Sequence, residues 1–144
     1  MEPRLSLVTL GVSDLARSTA FYRALGWEPG FANEEVSFFQ LNGVVLGLWQ
    51  RAGMAATLGV PEEGLGPGGM ELAHNVGGRG EVEAVMRTAV AAGARILVEP
   101  HEAPWGGYTG HFADPDGYRW EVAWNPAWTV RDGGTWMAPP GAKA

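Results

Sequence analysis

The residues of this chain best suited to chemistry are a few acids, amides and imidazoles set among apolar neighbours. Glu121 stands between Trp120 and Val122. Side chains alternate along a strand, so Glu121 is expected to face away from those two, toward a cavity. Partial desolvation there makes a carboxylate a better base near neutral pH, and proton transfer is the role assigned to it. Glu71 lies in a second strand-like run, Met70 to Val76. If the two strands pair, the carboxylates come close and either share a proton or hold a cation. The plainer alternative is a pair of solvated strand-face charges.

The three histidines, His74, His101 and His111, bear on whether a metal binds. His74 follows Glu71 by three residues and points to the opposite face of an unbroken strand. A hydrogen-bonded structural role is favoured for it. His111 sits beside Phe112 on a late strand, and His101 falls in a loop. Two histidines and a carboxylate would make an iron site, but this spacing does not assemble one.

Among the remaining polar groups, Asn75 shares the face of Glu71, and Gln40 shares that of Phe38. Amides both donate and accept, which suits a polar ligand. Trp49, Trp105 and Tyr108 are expected to supply a flat apolar wall, with Gly106-Gly107 allowing close backbone approach. The ligand-binding set is therefore Phe38, Gln40, Trp49, Glu71, Asn75, Trp105 and Tyr108, around Glu121 as the catalytic group.

Composition narrows the partners. The net charge of −6, without a basic run, disfavours nucleic acid and anionic membranes. The absence of cysteine excludes disulfides, thiolate catalysis and Cys-zinc sites. It fits a cytoplasmic protein, as does an opening, MEPRLSLVTLGVSDL, that lacks the pattern of a signal peptide. The stretch Gly64 to Gly69 lacks the ending of a phosphate loop, and there is no Gly-x-Ser-x-Gly elbow.

The elements that must position these residues follow a repeating order. Leu5 to Val12 reads as a strand. A helix follows, capped at Ser13-Asp14, with Leu15, Tyr22 and Leu25 on one face and a stop at Gly26. Trp27 to Phe31 is a short strand. Val36 to Leu41 and Val44 to Gln50 flank Asn42-Gly43, a strong two-residue hairpin signal. That turn sets Phe38 opposite Gly47 and Val36 opposite Trp49. Ser37, Phe39, Leu41, Val44, Leu46 and Leu48 then form the face under the helix.

The pattern restarts after a Gly- and Pro-rich stretch. Met70 to Val76 is a strand, and Glu81 to Ala92 a helix bearing Val82, Val85, Met86, Ala89 and Val90 on one face. Arg95 to Val98 is a strand and Pro100 to Trp105 a loop. Gly107 to Ala113 and Tyr118 to Trp124 are joined by the turn Asp114-Pro115-Asp116-Gly117. Strand, helix and three strands thus occur twice.

The segments LVTLGVSDLARSTAFYRALGWEP, MELAHNV and GHFADPDGYRWEVAW resemble the opening and closing elements of the glyoxalase/bleomycin-resistance/dioxygenase superfamily. The resemblance implies an α+β fold of two tandem βαβββ modules, a cupped, barrel-like mixed sheet with its helices outside. It also implies a homodimer, which the Trp-rich tail supports. Metal-dependent members hold a divalent ion from the first and fourth strands of each module. The matching positions here are Leu7, Gly47, Glu71 and Glu121. Leu and Gly offer no ligating side chain, so no cofactor is expected; a divalent metal, if bound, would rest on Glu71 and Glu121.

The expected organisation is a first module over 1–51, a linker over 52–69, a second module over 70–125 and an irregular tail over 126–144. The expected function is binding of a small organic molecule in an aromatic, acid-bearing cavity, by sequestration or with proton transfer by Glu121. The competing expectation is a divalent-metal lyase, isomerase or dioxygenase of the same superfamily. A third class, a structural dimer module, would fill the cavity with side chains.

Overall fold

In a computed structural model, which describes residues 7–67, 70–131 and 134–137, the apolar run Leu7–Val12 forms β1. The helix α1, Leu15–Ala24, begins where Asp14 caps it, its Oδ1 accepting from the Arg17 amide at 2.9 Å. The chain leaves through Gly26 at φ +96°, a backbone angle that glycine adopts without strain. β2 (Pro29–Ala32), β3 (Val36–Gln40) and β4 (Val45–Gln50) complete the first sheet, in the order β1-β4-β3-β2. β1 runs parallel to β4, and the other pairs are antiparallel.

The hairpin takes the expected register. Phe38 pairs with Gly47, Val36 with Trp49 and Gln40 with Val45. Ser37, Phe39, Leu46 and Leu48 are buried on the α1 side, where the Phe39 ring lies 5.9 Å from that of Tyr22. Ser37 is the polar exception; its Oγ has no hydrogen-bond partner among the described residues. On the other side, Phe38 occupies the space Gly47 leaves, its ring 3.0 Å from where a Cβ would stand. It stacks on Phe31 at 6.2 Å.

The expected linker holds more structure than its composition promises. The helix α2, Arg51–Leu58, follows β4 directly and ends at Gly59, which is left-handed at φ +66°. A 3-10 turn at Glu62–Gly64 comes next. Ala55 on α2 is buried, and Met54 and Arg51 close over Gly11 of β1. This packing, absent from any local periodicity, is what makes the segment helical.

The second unit repeats the plan. β5 (Glu71–Asn75), α3 (Arg79–Ala91), β6 (Arg95–Glu102), β7 (Tyr108–Ala113) and β8 (Arg119–Trp124) form a sheet ordered β5-β8-β7-β6. β5 is parallel to β8, and the rest are antiparallel. Val82, Met86 and Ala89 of α3 are buried, as are Phe112, Trp120 and Val122 of the sheet. Val90, expected on the buried face of the helix, is exposed instead.

Two further expectations are corrected. β6 extends to Glu102, through Pro100 and His101, which were expected in a loop. It is an edge strand with register shifts at Ile96/Val98 and Val98/His101, positions where proline is tolerated. The tail, expected to be irregular, contains an antiparallel hairpin of β9 (Trp128–Arg131) and β10 (Gly134–Met137). Contacts divide the chain into units 1–68 and 69–144. Among the described residues, no helix is long and apolar enough to cross a membrane.

Candidate functional site

β8 shows why one face of the second sheet is chemical and the other structural. Trp120 and Val122 are buried with Phe112, and the Phe112 and Trp120 rings stack at 6.2 Å. Gly110, in register with Val122, sits against Met86 of α3. That is the α3 face. By alternation, Glu121 projects from the other face, together with its register partners Ala73 on β5 and His111 on β7.

On that face the polar groups form two hydrogen-bonded pairs. The Thr109 hydroxyl lies 2.9 Å from Glu121 Oε1 and 3.2 Å from the Val122 carbonyl oxygen. Its single proton serves one of these at a time. Glu71 Oε1 lies 2.9 Å from His111 Nδ1, reaching across β8 to do so. Asn75, in register with Ala123, stands one pair further along. Glu71 and Glu121 thus share a face, as expected, but each carboxylate is engaged by a different partner. His111 and Thr109 were missing from the expected set. Counting alone does not find the first of them. With Asp114 to Gly117 as the turn, Ala113 would oppose Tyr118 and His111 would oppose Trp120. The Asp114 amide instead donates to the Tyr118 carbonyl and shifts the register by one, pairing His111 with Glu121. Alternation then puts Thr109 on the side of His111.

Tyr108 goes to the opposite face. Its hydroxyl donates to Glu83 of α3, a bond that pushes the phenol above the ordinary tyrosine range, with burial adding to the effect. Arg79 pairs with Glu102 at 3.0 Å and lies over the Trp124 ring at 5.0 Å, binding the start of α3 to the sheet. The alternation Tyr108, Gly110, Phe112 places Tyr108 with the apolar set. It belongs to helix packing and not to the wall beside Glu121.

The other aromatic and amide candidates are also spoken for locally. The Trp105 ring folds over Gly107, filling the space that a Cβ there would need, while half of its own surface stays exposed. Trp49 lies against Gly53 of α2, its Nε1 3.1 Å from that residue's missing Cβ. The Gln40 amide donates to the Leu41 and Val44 carbonyls at 2.7 and 3.5 Å, closing its own hairpin. Phe38 and Phe31 form a stacked pair on the face of the first sheet away from α1.

His74 lies on the α3 face in register with Val122. Desolvation lowers it from the ordinary imidazole value, and the Glu81 carboxylate works in the opposite direction.

The donor set does not fit the metal site that the resemblance implies. Leu7 and Gly47 carry no ligating atom, and the Phe38 ring occupies the side-chain space at Gly47. Among the described residues, no group of three or more His, Asp or Glu is arranged to hold a metal ion.

Residues 4–122 match the family described as the Glyoxalase/Bleomycin resistance protein/Dioxygenase superfamily. A glyoxalase-related enzyme from Fulvimarina pelagi is 40% identical, with a TM-score of 0.88 over 95% of this chain and 99% of that one. A glyoxalase/bleomycin resistance protein/dioxygenase from Nocardioides is 24% identical, with a TM-score of 0.74 over 100% of this chain and 91% of that one. Lactoylglutathione lyase from Agrobacterium tumefaciens is 22% identical, with a TM-score of 0.66 over 85% and 94%. The last two show likeness of fold alone. No curated protein matches the chain.

Proposed function

The chain belongs to the glyoxalase/bleomycin resistance protein/dioxygenase superfamily, and from that premise we propose that it binds a small organic molecule on the Glu121 face of its second module and moves a proton with that carboxylate. One observation carries the reading: Glu121 stands half-buried with the Thr109 hydroxyl at 2.9 Å and His111 as its register partner. A carboxylate fixed by one hydroxyl keeps further lone pairs for a substrate proton. The 40% identical protein from Fulvimarina pelagi is described as an enzyme, which supports a catalytic role over sequestration. The proposal includes a cytoplasmic homodimer, in keeping with the lack of cysteine and the exposed Trp128 and Val130 of β9.

The test has two stages. A panel of small carbonyl and hydroxy compounds is screened by thermal shift, and each stabilising compound is followed by NMR in deuterated water. The expected result is solvent deuterium entering a carbon position of the bound compound with wild-type protein, with Glu121→Gln binding the compound but failing to exchange. Exchange that survives in Glu121→Gln would sink the catalytic assignment. A panel without any stabilising compound would count against small-molecule binding.

A further inference from the structure

Glu71 and His111 lie forty residues apart, on the two strands that flank β8, yet their side chains meet at 2.9 Å. Glu71 is about half exposed and His111 is mostly covered, at 46% and 22% side-chain exposure. With the carboxylate half in water, a pair of this kind contributes little stability. Its chemical consequence is more specific. A carboxylate has lone pairs and no proton to give, so the hydrogen between these groups sits on Nδ1, whether the imidazole is neutral or charged. In the neutral ring the free lone pair is then on Nε2. His111 is also the register partner of Glu121.

We propose that Glu71 is a positioning residue for His111. It holds the imidazole in the Nδ1–H tautomer, so that Nε2 becomes a second proton-accepting atom beside Glu121. The inference rests on the proposed reading of this face as a ligand site and adds a substrate class to it. Two acceptors side by side call for a ligand that brings donors. The Thr109 hydroxyl cannot compensate, because its one proton already faces Glu121 Oε1 and the Val122 carbonyl oxygen. The ligand therefore presents adjacent O–H or N–H groups, or one such group next to an acidic C–H.

The experiment is long-range proton–nitrogen NMR of the histidine side chains in the full chain. It is run about two pH units above the ordinary imidazole value, so that neutral tautomers are read. His111→Asn assigns the signals. Wild type is expected to show His111 protonated on Nδ1. Glu71→Ala should release it to the Nε2–H form, and Glu71→Gln should retain the wild-type pattern, because the amide oxygen still accepts. In the deuterium-exchange assay, Glu71→Ala should slow exchange by at least about tenfold, with Glu71→Gln retaining more of it. An Nε2–H tautomer in wild type would overturn the proposal without need of any variant, and so would an unchanged tautomer in Glu71→Ala. The tautomer does not depend on turnover. A failure of the Glu121 reading would leave the NMR result standing, and a failure here would leave the Glu121→Gln result standing.

Discussion

His111 on β7 and Glu121 on β8 are register partners on the sheet face away from α3, and each is held by a different neighbour, Glu71 for the imidazole and Thr109 for the carboxylate. Both supporting bonds originate on strands other than β8. The geometry of the site therefore depends on the sheet as a whole, and a change in either supporting residue should be felt at Glu121 or His111.

Thr109→Val tests the carboxylate's support. The hydroxyl is buried and hydrogen-bonds to Glu121 at 2.9 Å. Its removal should cost roughly 1 kcal/mol, lowering the melting temperature by about 3–5 °C for a domain of this size. Urea unfolding measures the first and calorimetry the second. An unchanged midpoint would mean that the bond contributes nothing to the fold.

The two faces of the first hairpin should differ in energetic weight. Phe39 is fully buried against Tyr22 and Trp27, so Phe39→Ala should cost about 3–5 kcal/mol. Phe38 stacks on Phe31 across the sheet, and Phe38→Ala should cost about 1–2 kcal/mol. Equal losses in denaturant titrations would contradict the assignment of faces.

His74 should make stability pH-dependent with a defined sign. Its folded pKa lies below the ordinary 6.5 because burial disfavours the charged ring. The contribution is fully present above 6.5 and is lost as pH falls through the lowered folded value, since the unfolded chain binds the proton first. His74 as a residue is exposed, so the effect is small. Urea midpoints measured from neutral to mildly acid pH should fall less steeply in His74→Leu than in wild type. A steeper fall in the variant would reverse the sign.

Protein purified without chelators should contain no stoichiometric zinc, iron or nickel. Gly47 and Leu7 contribute no donor, and oxygen-only pairs hold these metals weakly. Elemental analysis giving near one such ion per chain would favour the metal-dependent reading.

Light scattering at micromolar concentration should give twice the chain mass. β9 exposes Trp128 and Val130 on one face of a two-stranded hairpin, and such hairpins are marginal in water without cover. A monomer mass would remove the dimer from the proposal.

The sequence by itself determined what depends on local periodicity and turn length. Asn42-Gly43 allows one register, and alternation then assigns every side chain from Val36 to Trp49 to a face. The same alternation set Glu121 opposite Trp120 and Val122. It also places Tyr108 with Phe112, on the helix side and away from Glu121. What tertiary structure decided depends on elements distant in sequence. The Glu71–His111 bond spans β8, so no pattern within one strand contains it. The helix α2 forms because Ala55 and Met54 find the rest of the first unit, and β6 runs through Pro100 because that strand lies at a sheet edge. Alternation is a property of the covalent chain, whereas a diagonal contact between strands is a property of their register, which only the packed sheet fixes.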